Sequence, residues 1–300
     1  LTKNFFCDII YIEDKKGDIK KMKFAETKVF NFEGAFRGMR NPLNSWDKSD
    51  SYFGLMDLRY PTDQHEEVID CWITQELNRR NHPIELYNGE WEELYSRYAE
   101  WLSSNEMLDL DWDLAIVAAL GPNDLALAQK LVLAGDEHAK FMRQIFVCVD
   151  ITAPIYWWKE MDTYKIGTVA NSTSTMHKLA TTPISLECFE VEDYEPRLQL
   201  IDPTMLDVRV DSFLSDLEQL RQSYLQTKDK RYWKELVRWL PESWLQTRTM
   251  TMSYANLRNI YFQRKNHKLT EWHTFCNWIK GLPYSGELIA LEEKETNETN

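Results

Sequence analysis

Two stretches and one arginine carry the side chains with chemistry to offer. Residues 165–178, "KIGTVANSTSTMHK", set five Ser or Thr, an Asn and a His between Lys165 and Lys178, with almost nothing to bury. Such a segment either lies in solvent or wraps a polar ligand with hydroxyl and amide donors. The second stretch is "NLRNIYFQRKNHK" at 256–268. At helical spacing Leu257, Tyr261, Arg264 and Lys268 share one face, and Asn256, Asn259, Gln263 and either Asn266 or His267 form a neighbouring stripe. Amides, a guanidinium and an imidazole beside an apolar stripe must be hydrogen-bonded if buried. A plain surface helix would carry Glu and Lys there, so the stripe either faces a ligand or is an unusual solvated face. Arg238, just ahead of "WLP", closes a helical run, where a cation complements the helix dipole as readily as it binds an anion.

Other chemistries are excluded by what the sequence lacks. It has no P-loop, no GxGxxG and no GxSxG elbow. "DLDWD" at 109–113 opens like a calcium loop, but Leu114 and Leu120 stand where Gly and a bidentate Glu are needed. Six histidines form no HExxH and five cysteines no CxxC, so no metal is expected, and reduced cysteines suit the cytoplasm. With 35 basic against 48 acidic residues the net charge is −13, which disfavours nucleic acid as a partner while leaving room for a small anion at a local basic cluster. No apolar run reaches the roughly 20 residues of a membrane helix, so no membrane partner is expected. Trp157-Trp158 reads first as ordinary core and only second as a stacking surface for a planar ligand.

The elements that must hold these residues read as an α+β fold, a central mixed β-sheet packed with long helices. Residues 1 to about 60 suggest short strands or hairpins, and 64–105 read as helical. "GPND" predicts a helix start at 121–124, with Asn123 or Asp124 as its cap. "IFVCVDI" reads as a buried strand ended by Pro154, and "IYWWKEMDTYK" as a short helix leading into the polar segment. One long helix is predicted at roughly 208–240, closed by Pro241, and a second from near Met252 to about Lys280. The division expected is an N-terminal elaboration over 1–105, a core over 106–286 and an acidic, frayed tail over 287–300.

Three segments taken together, "DLALAQKLVLAGDEHAKFMRQIFVCVDITAPIYWWKEMDTYKIGTVANSTSTMHK", "VRWLPESWLQTRT" and "YANLRNIYFQRKNHKLTEW", resemble in order and spacing the core of the flavin-dependent thymidylate synthases. The resemblance covers about residues 120–280. It implies a homotetramer with shared active sites, FAD as cofactor, dUMP as substrate, and NADPH and methylenetetrahydrofolate as co-substrates. Arg238 matches the family's nucleotide-binding Arg before Leu-Pro, and Arg264 the helix Arg that reaches the uracil. Asn259 matches the Asn near the flavin, and His267 falls within one position of a His lining the flavin pocket. Ala153-Pro154 and Arg248 match as structural landmarks.

The polar segment departs from that pattern. Thr163-Tyr164-Lys165 stands where the family has Arg-His-Arg, so only Lys165 keeps a charge. With one residue inserted, Thr168, Asn171 and Ser174 fit the family's Ser, Asn and second Ser, while Ser172 replaces a Glu and Met176-His177 replace Arg-Tyr. Lys178 and Arg143 are the candidates to substitute for a lost arginine. The resemblance therefore assigns substrate to Arg238, Arg264, Asn171, Ser174 and Lys178, with Arg264 and Ser174 at the reacting base. It assigns the flavin to Lys165, Thr168, Asn259, Gln263 and His267. The departures leave open a different C5 modification of a pyrimidine nucleotide, such as hydroxymethylation, or a non-catalytic nucleotide-binding or oligomeric descendant.

Overall fold

A computed structural model describes residues 9–12, 22–57, 114–191 and 204–292. The helices expected at 64–105, the 105/106 boundary and the tail beyond 292 lie outside the described residues. The α+β class holds: β1 (Ile9–Ile12), β2 (Lys23–Phe30), β5 (Phe146–Pro154), β7 (Leu245–Ser253) and β6 (Val169–Ser172) form one sheet in the order β1-β2-β5-β7-β6. A two-stranded antiparallel pair, β3 (Tyr52–Asp57) with β4 (Leu114–Ala119), is separate from it. Two compact units are drawn from within these parts, one from Leu1–Ile12, Lys28–Cys148 and Met252–Asn300, the other from Glu13–Thr27 and Val149–Thr251.

In the first unit, α1 (Phe32–Arg40) occupies text expected to be strand or turn. Its Phe32, Ala35, Phe36 and Met39 are buried, a spacing of three and four that a strand could not place on one face. Phe32 meets Tyr254 and Tyr284 edge to face at 5.6 and 5.8 Å. Both phenols are satisfied, the Tyr254 hydroxyl donating to the Pro283 carbonyl and the Tyr284 hydroxyl accepting from the Leu120 N–H. The predicted helix after "GPND" is α2 (Pro122–Leu133), but its cap differs from expectation. Gly121 is the N-cap residue and makes no side-chain cap bond. The orphan N–H groups of Asn123 and Asp124 instead donate to the Asp50 carboxylate, 2.8 and 3.0 Å away, which arrives from another part of the chain. Gly121 is required there because a Cβ would sit 2.3 Å from the Asp50 carbonyl oxygen.

Asp124 is freed by this for another task. Fully buried, it pairs with Arg40 at 2.5 Å and accepts from the Ser49 hydroxyl and the Ser51 N–H, which pins the turn before β3 to α2.

In the second unit, β5 alternates buried Val149, Ile151 and Ala153 with half-exposed partners, and α3 (Ile155–Met161) follows Pro154 as expected. Trp157 and Trp158 are wholly buried against each other, centroids 4.8 Å apart, so they are core rather than a stacking surface. The helix expected over 208–240 is two: α5 (Thr204–Thr227) and α6 (Lys230–Trp239). Lys228 turns into the left-handed region at φ 58°, and Asp229 caps α6 by accepting from the Arg231 N–H, so a local side chain restarts the helix. Their core joins Leu179, Ile184, Phe189, Leu217, Leu236 and Trp244.

The second expected long helix is also divided, into α7 (Tyr254–Arg264) and α8 (Thr270–Lys280). The final helix α9 (Ser285–Leu288) buries Leu288 and Ile289, so packing continues past residue 286, where the tail was expected to begin.

Removing one member of the Arg40–Asp124 pair strands a buried charge. Asp124→Ala is expected to lower unfolding free energy in urea by about 3–5 kcal/mol, whereas replacing both with apolar residues of similar volume recovers most of that loss.

Candidate functional site

The two polar stretches fall in different units, and each is built separately.

In the first unit α7 begins with a capping box. Ser253 Oγ accepts from the Asn256 N–H and Asn256 Oδ1 accepts from the Ser253 N–H, so Asn256 belongs to the cap rather than to a ligand-facing stripe. Leu257, Ile260 and Tyr261 point into the core. Asn259 and Gln263 are exposed one turn apart and linked, the Gln263 amide donating to Asn259 Oδ1 at 2.7 Å. Arg264 ends the helix, half-buried, with its guanidinium carbon 4.5 Å over the ring of fully buried Trp272.

His267 lies not on a helix but in the connection between α7 and α8. Its Nδ1 accepts the Leu269 N–H at 3.2 Å, and its ring stands edge-on to Trp272 at 6.2 Å. That bond gives Nδ1 the acceptor role and leaves the ring hydrogen on Nε2. It also takes an N–H away from any continuing helix, which is why the single helix is broken. Lys268, expected on Arg264's helical face, is exposed in the same connection. Arg264 and His267 thus meet at Trp272 beside the end of α7, while the Asn259–Gln263 pair is exposed along the same helix.

Sequence reasoning missed the residue that anchors this helix. Arg258 Nη1 donates to the carbonyls of Ile289 and Leu291 at 2.8 and 2.7 Å, and the guanidinium lies 4.7 Å over Phe262. Burial pushes its pKa below the ordinary arginine value. Lys265 pairs with Glu292, adding a second tie to the same terminal segment. An Arg among Asn and Leu on an amphipathic text gave no sign of carbonyl partners some thirty residues on.

In the second unit the polar segment is not a free loop. Val169–Ser172 is strand β6 at the end of the sheet, antiparallel to β7, with Asn171 opposite Thr249 and Ser172 opposite Arg248. All four of its residues are exposed. Ser174 is the N-cap of α4 (Thr175–Thr181): its Oγ accepts from the His177 N–H at 3.3 Å and lies 2.8 Å from His177 Nδ1. Thr168 donates to the Tyr164 carbonyl, while Lys165 and Lys178 extend into solvent.

Arg238, in the last turn of α6, is 53% exposed and ion-paired with Glu235. Arg143 closes a short 3₁₀ turn at Lys140–Arg143 in the first unit.

Four side chains outside the expected set hold the polar segment and the chain that follows it. Arg248, a landmark in the sequence, is only 16% exposed, its guanidinium carbon 4.2 Å over the Trp158 ring and its Nη1 donating to Asp162 at 2.7 Å. Gln246 accepts from Arg248 Nε and donates to the Thr173 carbonyl and the Thr175 hydroxyl. Beyond α4, Glu218 and Arg221 form a clasp: Glu218 accepts from the Ile184 N–H and Arg221 donates to the Ala180 carbonyl.

The Arg221 fork, helped by the Ile184 N–H and the Gln222 amide, outweighs the opposing effect of burial and holds the Glu218 carboxyl at about 2, against an ordinary 4.5. A depressed carboxylate stabilises the fold fully above its unfolded value, and that stability is lost as pH falls through the folded one. Acid titration of the folded protein is therefore expected to show a loss between about pH 4.5 and 2 that Glu218→Gln removes from the profile.

No family model matches the chain, and no curated protein matches it. Two solved structures of thymidylate synthase X from Helicobacter pylori, each with FAD and dUMP, are similar to it. One is 15% identical and covers 65% of this chain and 89% of that one, with a TM-score of 0.40. The other is 15% identical and covers 64% of this chain and 90% of that one, also at a TM-score of 0.40. Neither likeness fixes the role of any residue here.

Proposed function

We propose that this chain is an FAD-dependent enzyme of thymidylate-synthase type, methylating dUMP at C5. The methylene group would come from methylenetetrahydrofolate and the hydride from NADPH by way of the flavin, in a cytoplasmic homotetramer. The observation that carries the reading is the end of α7. Arg264 and His267, both singled out by the sequence resemblance, meet buried Trp272 there, and Asn259 and Gln263 stand exposed and linked to each other on the same helix.

The donor set suits the ligands. Exposed carboxamides and an imidazole match the carbonyl and N–H edge of an isoalloxazine, and a guanidinium fork matches uracil carbonyls and phosphate. When bound, the flavin supplies the hydride chemistry. The residues of this chain orient and polarise. Arg264 holds the uracil and offsets negative charge that builds on the ring during attack at C5. Stacking on Trp272 restricts where its guanidinium can go, which lowers the cost of ordering it. Arg238 takes the nucleotide phosphate. Asn171, Ser174 and Lys178 present amide, hydroxyl and ammonium groups to the substrate, and Lys165 and Thr168 serve the cofactor. Neutral donors on the polar segment replace guanidinium groups, at roughly half the strength per bond.

The purified protein is expected to be yellow, or to become so on titration with FAD, and to convert dUMP to dTMP in the presence of NADPH and methylenetetrahydrofolate. A colourless protein that takes up no FAD overturns the reading. A hydroxymethylated product from dUMP or dCMP would instead establish a different C5 modification. Arg264→Ala is expected to weaken dUMP binding about tenfold or more, the scale of a lost charge-assisted bond, while FAD uptake changes far less.

A further inference from the structure

Arg238 is not presented as an open anion site, and the side chains that occupy it point to a specificity device. On the last two turns of α6, Glu235 uses both carboxylate oxygens on neighbours along its own helix. Oε1 pairs with the Arg238 guanidinium, and Oε2 accepts the Trp239 indole N–H at 3.1 Å. All three side chains stand in solvent: Glu235 is 40% exposed, Arg238 53% and Trp239 60%. The carboxylate is therefore tethered on one oxygen while the other occupies Nη1 of the guanidinium that a phosphate would use.

We propose that Glu235 is a built-in competitor for the anion site of Arg238, setting a threshold that a nucleotide's phosphate must overcome. The inference rests on the reading of Arg238 as the phosphate-binding group. When phosphate approaches, the guanidinium has to exchange a carboxylate for it. The Trp239 indole N–H on Oε2 favours the carboxylate staying where it is when the arginine turns away. It stays beside the incoming dianion as a like charge, which lowers affinity for phosphorylated ligands alone. A monoanion or a neutral nucleoside gains too little from Arg238 to displace Glu235, so the device also discriminates by charge. Exposed i,i+3 pairs are weak, which keeps the threshold low enough for a phosphate to cross.

The test is titration of the full-length protein with dUMP and, separately, with deoxyuridine by calorimetry, comparing wild type with Glu235→Gln. Glutamine keeps an oxygen for the Trp239 indole and removes the charge. The expected result is dUMP binding about two- to fivefold tighter in Glu235→Gln, with deoxyuridine binding unchanged. Glu235→Ala, which also frees the indole, is expected to change dUMP binding in the same direction. If Glu235→Gln leaves dUMP binding unchanged or weakens it, Glu235 is a neutral partner or a support for Arg238, and the inference is overturned. An equal gain for deoxyuridine overturns it as well, since the effect would then owe nothing to phosphate. Wild-type protein that binds no dUMP at all refutes the reading of the site itself, and the inference falls with it.

Discussion

A guanidinium keeps its charge when it leaves water, so each arginine this fold takes in has to be met by acceptors or by a ring face. The solutions recur through the molecule. Arg40 is answered by the buried carboxylate of Asp124, and Arg221 by Glu218 together with a backbone carbonyl. Arg248 lies between Asp162 and the face of Trp158, while Arg258 collects carbonyls from the end of α9 and beyond. Arg264 rests on Trp272. The bonds of Arg40 to Asp124, Arg221 to the Ala180 carbonyl, Arg248 to Asp162 and Arg258 to the Ile289 and Leu291 carbonyls join distant parts of the chain, so these arginines act as rivets between elements.

This constraint sorts the arginines by role. Those with matched acceptors in semi-buried places hold the architecture. Arg238, exposed and paired only along its own helix, costs little to re-engage, which is the condition for a ligand-binding cation. Arg264 sits between the two groups, half-buried over an aromatic face. A cation–π contact steadies such a group against the ring face.

Local pattern carried far in some places and failed in others. The alternation in β5, the stop at Pro154 and the short helix after it follow from side-chain period and proline geometry, which act within a few residues. The end of α6 ahead of Pro241 follows likewise. The breaks at Lys228–Asp229 and after Arg264 were not legible. Each turns on one side chain choosing a nearby backbone N–H, Asp229 for Arg231 and His267 for Leu269, against an unbroken helical rhythm. The cap of α2 was unreadable for a different reason, since Asp50 reaches it across more than seventy positions. At the candidate site the amides and Arg264 on α7 were visible as an odd composition. Arg258 was not, because nothing in its neighbourhood names backbone carbonyls as partners.

Strand β6 carries a consequence of its own. Register in a sheet is ordinarily enforced by an apolar face that cannot be turned outward, and a strand polar on both sides lacks that enforcement. Val169–Ser172 is exposed throughout. Its alignment on β7 then depends on the lateral grip of Gln246 on Thr173 and Thr175. A shift of one position would swap which of Asn171 and Ser172 looks out from each side, so a single carboxamide decides which functional group the rim of the sheet displays.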